Sequence, residues 1–145
     1  MSDATAAVLL FDGFEELDAI GPYDVLRTAS DAGAPLDSVT QVTAEPVERV
    51  TASKGTLVTP HGRLDTADPP DYLVVPGGGW VERADTGAWA AAERGVVQEA
   101  IADCHAAGTT VASVCTGAML LARAGLLDGR PAVTHGSATA DLEAT

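Results

Sequence analysis

Lysine is almost missing from this chain: Lys54 is the only one among 145 residues. With arginine, the basic residues number 8 against 21 acidic ones, a formal charge of -13. That balance excludes nucleic acid as a partner, because phosphate contacts need clustered Lys and Arg. The carboxylates are scattered along the chain, which describes a solvated surface and not an acidic tail. Scarce lysine beside abundant Asp, Ala, Thr and Val points to a salt-adapted, halophilic protein. At molar salt the Debye length falls to about 3 Å, so such a surface repels itself far less. Cysteine is scarce too. Cys104 and Cys115 are too few for a disulfide scaffold and suit a reducing compartment. No apolar run approaches a membrane span, and the start Met1-Ser2-Asp3-Ala4-Thr5 lacks the basic segment of a secretory signal. The expectation is a cytoplasmic protein with no membrane partner. Two cysteines and three histidines at these spacings match no standard zinc pattern, so neither a metal nor a cofactor is expected.

What is present is enough apolar material for one core: 46% hydrophobic residues and a mean hydropathy of +0.14. At this length a single domain over residues 1–145 buries about two-thirds of its unfolded surface. Thr5 to Phe11 is a continuous apolar run that suits a strand buried on both faces. Leu17, Ile20, Val25, Leu26 and Ala29 then recur near a 3.6-residue period, which predicts a helix interrupted at Gly21-Pro22 and closed by Asp31-Ala32-Gly33. Ser38 to Thr43 reads as a strand. Residues 47–51 and 56–59 alternate around Ala52-Ser53-Lys54-Gly55 as a small β-hairpin. Residues 65–71 form a Pro- and Asp-rich loop. Tyr72 to Val75 is a further buried strand, Ala88 to Ala107 a long helix, Thr110 to Val114 a strand, and Pro131 to Thr134 a last short strand. Such alternation predicts an α/β fold, a mostly parallel sheet flanked by helices.

Ligands of open α/β sheets bind beyond the carboxyl ends of the strands, and three loops fall there. The sharpest signal is Val114-Cys115-Thr116-Gly117, where a β-rich run ends in a cysteine and a small-residue turn opens into a helix from Ala118 to Ala124. A nucleophile held on a strand-to-helix turn has this pattern, and a helix N-terminus there favours the thiolate. The second loop is Gly77-Gly78-Gly79. No Lys-Ser/Thr follows it and the dinucleotide spacing is absent, so exposed backbone N–H groups that stabilise developing negative charge are its better use. The third holds Glu15, Glu16 and Asp18, which composition alone does not rank. His135 lies just past a strand end and can reach the same rim. Cys104-His105, adjacent on a helix, share no face and read as incidental, and His61 reads as a turn residue.

Together these residues resemble the ThiJ/PfpI superfamily, whose sheet is of the class I glutamine-amidotransferase type, a flavodoxin-like three-layer sandwich. The resemblance runs through the opening residues 8–14, Leu17-Asp18 and Gly21-Pro22-Tyr23-Asp24. It continues in Val74-Val75-Pro76-Gly77-Gly78-Gly79, in residues 113–118 and 124–130, and in Thr134-His135. Within that superfamily, Asp18 at the acid position and Thr116 after the cysteine are similar to the isonitrile hydratase branch. This implies Cys115 as nucleophile with Asp18 and Thr116 as its catalytic partners. Gly77, Gly78, Gly79 and His135 are implied for oxyanion or substrate binding. The implied activity is a cysteine-dependent hydration of a small molecule, isonitrile to N-substituted formamide. A glyoxalase- or deglycase-like aldehyde enzyme and a non-enzymatic cysteine redox sensor or ligand-binding domain are the alternatives. A homodimer is implied as well. Superfamily members run on past the Thr-His pair, whereas this chain stops at Thr145 inside a helix begun near Ser137. A C-terminally incomplete domain with an uncovered sheet edge is therefore expected.

Overall fold

The computed structural model describes residues 3–145. β1 (Ala4–Leu10) is buried without a break from Ala6 to Leu10, as its apolar run requires. α1 (Glu16–Asp31) follows, then β2 (Leu36–Thr43). Next come β3 (Val50–Thr51), β4 (Leu57–Val58), β5 (Gly62–Arg63) and β6 (Tyr72–Val75). α2 (Ala88–Arg94) and α3 (Val96–Ala106) lead to β7 (Thr110–Ser113) and α4 (Gly117–Arg123). A 3₁₀ turn (Gly136–Ala138) and α5 (Thr139–Glu143) complete the chain. The main sheet has the order β5-β2-β1-β6-β7 with every pairing parallel, and β3-β4 form a separate antiparallel pair.

The chain runs from β1 outward to β2 and, on the other side, from β6 outward to β7. Right-handed crossovers therefore send α1 to one face and α2–α3 to the other. The contacts agree: α1 packs on β1, β2 and β6, while α2, α3 and α4 pack on one another, with α3 on β7 and α4 on β6 and β7. The reversal of direction between β1 and β6 opens a crevice at their carboxyl ends, where such sheets place their sites. Leu9, Leu10, Leu73, Val75, Ile101, Met119 and Leu120 fill the core, with Phe14 and Trp80 as its largest members.

Three expected elements differ from the sequence expectation, α1 in two ways. α1 runs straight through Gly21-Pro22, with Pro22 inside the helix. The cost is local: a proline has no N–H for the carbonyl four residues back, here Asp18. The long helix is broken at Gly95, whose φ of +89° ends α2 and begins α3. Pro131 to Thr134 pairs with no strand, so β7 forms an edge of the sheet. Of the apolar residues expected to bury α1, Leu17, Ile20 and Val25 are exposed, Leu17 to 75% and Val25 to 66%, while Leu26 and Ala29 are half-buried. Asp18 and Ala19 are the buried residues of this helix.

Trp80 anchors the far side of the glycine loop. Its indole is 2% exposed, and its Nε1–H donates to Asp141 Oδ2 of α5 at 2.8 Å. Arg83 donates to the same oxygen at 3.1 Å and lies 3.9 Å over the Trp89 ring, which meets Trp80 edge-on at 5.1 Å. Arg123 of α4 lies 5.6 Å from the Trp80 ring.

Candidate active site at the Cys115 elbow

Cys115 has φ of +55°, a left-handed conformation shared, among the described non-glycine residues, only with Arg83. Such a backbone costs on the order of 1–3 kcal/mol and persists only where neighbours over-determine it. They do so here. Val114 N–H donates to Val75 O at 3.0 Å, tying the elbow to β6, and Gly117 N–H closes the turn onto Val114 O at 2.9 Å. Gly117 packs against the carbonyls of Val75 and Pro76, where no Cβ fits. Thr134 Oγ1–H, from the segment expected to be a strand, donates to Cys115 O at 3.2 Å.

The glycine loop lies directly against this elbow. Gly77 N–H donates to Asp18 Oδ2 at 3.2 Å, and Gly78 N–H donates to Thr116 Oγ1 at 3.0 Å. Two of the three loop N–H groups thus hold the side chains of Asp18 and Thr116. Gly79 turns the chain toward Trp80, its carbonyl accepting from Ala84 N–H at 3.1 Å. A Cβ on Gly77 would lie 2.5 Å from both Thr116 N and Oγ1, so only glycine permits this approach. A Cβ on Gly78, at φ of +124°, would lie 2.8 Å from Gly13 O.

The three carboxylates that composition left unranked have separate fates. Asp18, 9% exposed, projects from the first turn of α1 toward Cys115. Burial raises its pKa; the Gly77 N–H opposes the rise, Glu15 adds to it, and Cys115 and Lys54 oppose it. Glu15 pairs with Lys54. Glu16 accepts from Ser53 Oγ at 2.9 Å, from Lys54 N–H at 3.0 Å and from Thr56 Oγ1 at 3.0 Å. Desolvation works against its charge, but these donors and its own N–H outweigh it and bring its pKa to about 2. Glu15 and Glu16 therefore clamp the β3–β4 hairpin onto the start of α1.

The Cys115 thiol differs from its expectation. Burial raises its pKa above the usual 9.0, the Thr116 N–H pulls it down, and the nearby Asp18 charge pushes it up again. The favourable helix terminus is real, yet burial and the carboxylate outweigh it, because α4 offers one oriented N–H while Asp18 faces the sulfur. Burial and mutual proximity thus shift both groups toward their protonated forms.

His135 follows Thr134, and its side chain is engaged locally. Its imidazole caps the 3₁₀ turn, accepting from Ser137 N–H at 3.2 Å and meeting Ser137 Oγ at 2.6 Å. Sequence reasoning missed Thr134 as a neighbour of Cys115 and missed Ser53, Lys54 and Thr56 as partners of the carboxylates. No spacing signals either, since both are contacts across loops. The only hint was the isolation of Lys54 as the sole lysine. A cleft of about 430 Å³ is lined by Thr134 with Leu127, Arg130 and Leu142, and by none of Cys115, Thr116, Asp18 or the glycine loop. No group of three or more His, Cys, Asp or Glu among the described residues is placed to hold a metal ion.

A parallel α/β sheet with a cysteine elbow beyond its strand ends defines the class. The chain belongs to the DJ-1/PfpI family, whose sequence profile matches residues 4–145. A Streptomyces lividans relative, described as an uncharacterized protein in the cpoL 5′ region, is 38% identical over 136 residues, covering 93% of this chain and 89% of its own. The isonitrile hydratase of Pseudomonas putida is 33% identical over 127 residues, covering 88% of this chain and 50% of that enzyme. The chain thus spans about half of that relative. Among solved structures, oxidized Toxoplasma gondii DJ-1 superposes with a TM-score of 0.77 at 23% identity, covering 96% of this chain and 70% of that one. That likeness establishes the fold.

Proposed function

We propose that this single domain is a cysteine-dependent hydratase of small molecules, converting an isonitrile to an N-substituted formamide. The observation that carries the reading is the buried Asp18 carboxyl set against the thiol of a strained Cys115 elbow. The 33% identity to an isonitrile hydratase supports it. Asp18 takes the thiol proton as the sulfur bonds to the terminal carbon of the isonitrile, and returns that proton to the adduct, giving a thioimidate. Water then adds across the C=N bond, its oxygen to that carbon, and Asp18 passes the proton it takes from the water to the nitrogen. As the C–S bond breaks and the hydroxyl becomes the carbonyl, Asp18 takes the hydroxyl proton and gives it to the departing sulfur, and the formamide leaves. Across the cycle one water is consumed and Cys115 and Asp18 end as they began.

Thr116 has two parts in this scheme. Its N–H faces the sulfur, and its hydroxyl, fixed by Gly78 N–H, orients the adduct. The glycine loop is assigned to holding Asp18 and Thr116. An aldehyde reaction with His135 as proton carrier is less well supported, since that imidazole is engaged with Ser137. A redox sensor built on a low-pKa thiol is disfavoured by the upward shift at Cys115. A homodimer and a reducing, cytoplasmic setting belong to the same proposal. No described helix is long and apolar enough to cross a membrane.

The test is formamide production from an alkyl isonitrile by the parent protein, Cys115→Ala and Asp18→Asn at several salt concentrations. Turnover lost in both variants supports the hydratase; a folded parent that produces no formamide at any salt refutes it.

A further inference from the structure

Glu15 is bonded through its backbone to both halves of the proposed site. Its carbonyl accepts from Asp18 N–H at 3.0 Å, and its N–H donates to Gly77 O at 2.8 Å. Its carboxylate reaches the hairpin, meeting Ser53 Oγ at 3.2 Å and pairing with Lys54. Lys54 is held in turn, because its own N–H donates to Glu16 and Ser53 N–H donates to Phe14 O at 2.8 Å. The only lysine of a chain carrying 21 acidic residues is thus fixed beside the acid of the site. Four arginines are ion-paired elsewhere, with Asp31, Asp141, Glu45 and Glu93.

From this geometry we infer that Glu15 and Lys54 are a counterpoised, specificity-determining pair that sets the electrostatic field at the mouth of Cys115. Asp18, Glu15 and Glu16 face one ammonium there, so the balance is negative. Uncharged electrophiles enter and anionic ones are repelled. Removing one member tips the field in a direction fixed by its sign. Without Glu15, Lys54 is a free cation; without Lys54, Glu15 is a free anion beside Asp18. The charge of Glu15 raises the Asp18 pKa and that of Lys54 lowers it, which are these signs. Both side chains are partly solvated, so the field is one that salt screens. The inference rests on Cys115 being the reactive thiol of the proposed site, but it does not need an isonitrile as substrate.

Alkylation by two electrophiles of nearly equal size, neutral iodoacetamide and anionic iodoacetate, reads the field directly. In each, the sulfur bonds to carbon, iodide leaves, and the thiol proton passes to Asp18 or water. Rates at Cys115 are followed by peptide mass spectrometry in folded protein, with the urea-unfolded chain as reference for the same thiol. The expected iodoacetamide-to-iodoacetate ratio of the parent in dilute buffer is about 3- to 10-fold above the unfolded reference. It falls toward that reference in molar salt, where the screening length is about 3 Å. Glu15→Gln lowers the ratio and Lys54→Gln raises it, with circular dichroism confirming that both remain folded. A merely structural role for the pair would shift both variants the same way, toward the unfolded value. That result, or a parent ratio equal to the reference at every salt, overturns the inference. Since alkylation requires no hydration chemistry, a failed isonitrile assay leaves this outcome readable.

Discussion

Asp18 is a carboxylate that folding makes less comfortable, and two consequences follow. Its pKa is raised in the folded state, chiefly by burial. Over the interval between unfolded and folded pKa values the native state binds the extra proton, so stability falls as pH rises through that interval. Asp18→Asn removes the penalty while keeping an oxygen for Gly77 N–H. It should melt higher than the parent at pH 7 and no higher at pH 3, as thermal denaturation at the two pH values will show. The same substitution should lower isonitrile turnover by about 10²–10⁴-fold, the range of a lost general base. In the parent, turnover should rise with pH along a limb displaced above the ordinary Asp value of 3.8 and fall only above the ordinary thiol value of 9.0, since both groups are shifted up. A rate profile over pH 4 to 10 checks both limbs. Cys115 was legible in the sequence because a nucleophile elbow needs a strand end, a small-residue turn and a helix start in consecutive positions. The direction of its pKa was not, since burial and the Asp18 contact arise from residues 97 positions apart.

The glycine loop and the β3–β4 hairpin act as whole elements. Gly77→Ala would press a methyl group into Thr116, and overpacking of this kind costs about 1–3 kcal/mol. We expect a lower melting temperature together with loss of Cys115 reactivity, whereas Gly62→Ala, where the added carbon meets open space and the backbone is not left-handed, should leave reactivity intact. The hairpin is held through Glu16, whose pKa near 2 means that its grip persists below the usual carboxylate range of 4.5. For a group with a depressed folded pKa, the stabilisation is complete above the unfolded value and lost as pH falls toward the folded one. Amide hydrogen-exchange protection over residues 50–58, taken relative to intrinsic rates at each pH, should fall between pH 4.5 and about 2, and Glu16→Gln should show the lowered protection throughout. The strands were legible because buried parallel strands are continuous apolar runs, as in Ala6 to Leu10. α1 was legible as a helix but not in its orientation. Leu17, Ile20 and Val25 make a plausible core stripe, and nothing local to the helix says that Asp18 and Ala19 are the pair turned inward.

For the molecule as a whole, a charge of -13 makes the compact state repel itself. Screening relieves that repulsion, so the melting temperature should rise steadily from 0.05 M to 2 M sodium chloride. A flat or falling curve would count against salt adaptation. The order β2-β1-β6-β7 was within reach of the sequence once the elements were placed, since right-handed crossovers leave few arrangements, whereas the two-residue β5 carried no strand signal. The break at Gly95 and the unpaired Pro131–Thr134 segment were not. A glycine inside a helical pattern is tolerated as often as it terminates one, and a short extended run becomes a strand only if an edge stands free at the right height.

The tryptophan cluster has a practical use outside catalysis. The chain has two tryptophans, Trp80 and Trp89, and both belong to this one assembly, in edge-on contact and flanked by Arg83 and Arg123. Intrinsic fluorescence of this protein is therefore a local gauge of how α5 is seated, through the Trp80–Asp141 bond, and not an average over the fold. Asp141→Ala should redden the emission as water reaches the indole. Any effector that unseats α5 would announce itself optically, without a label.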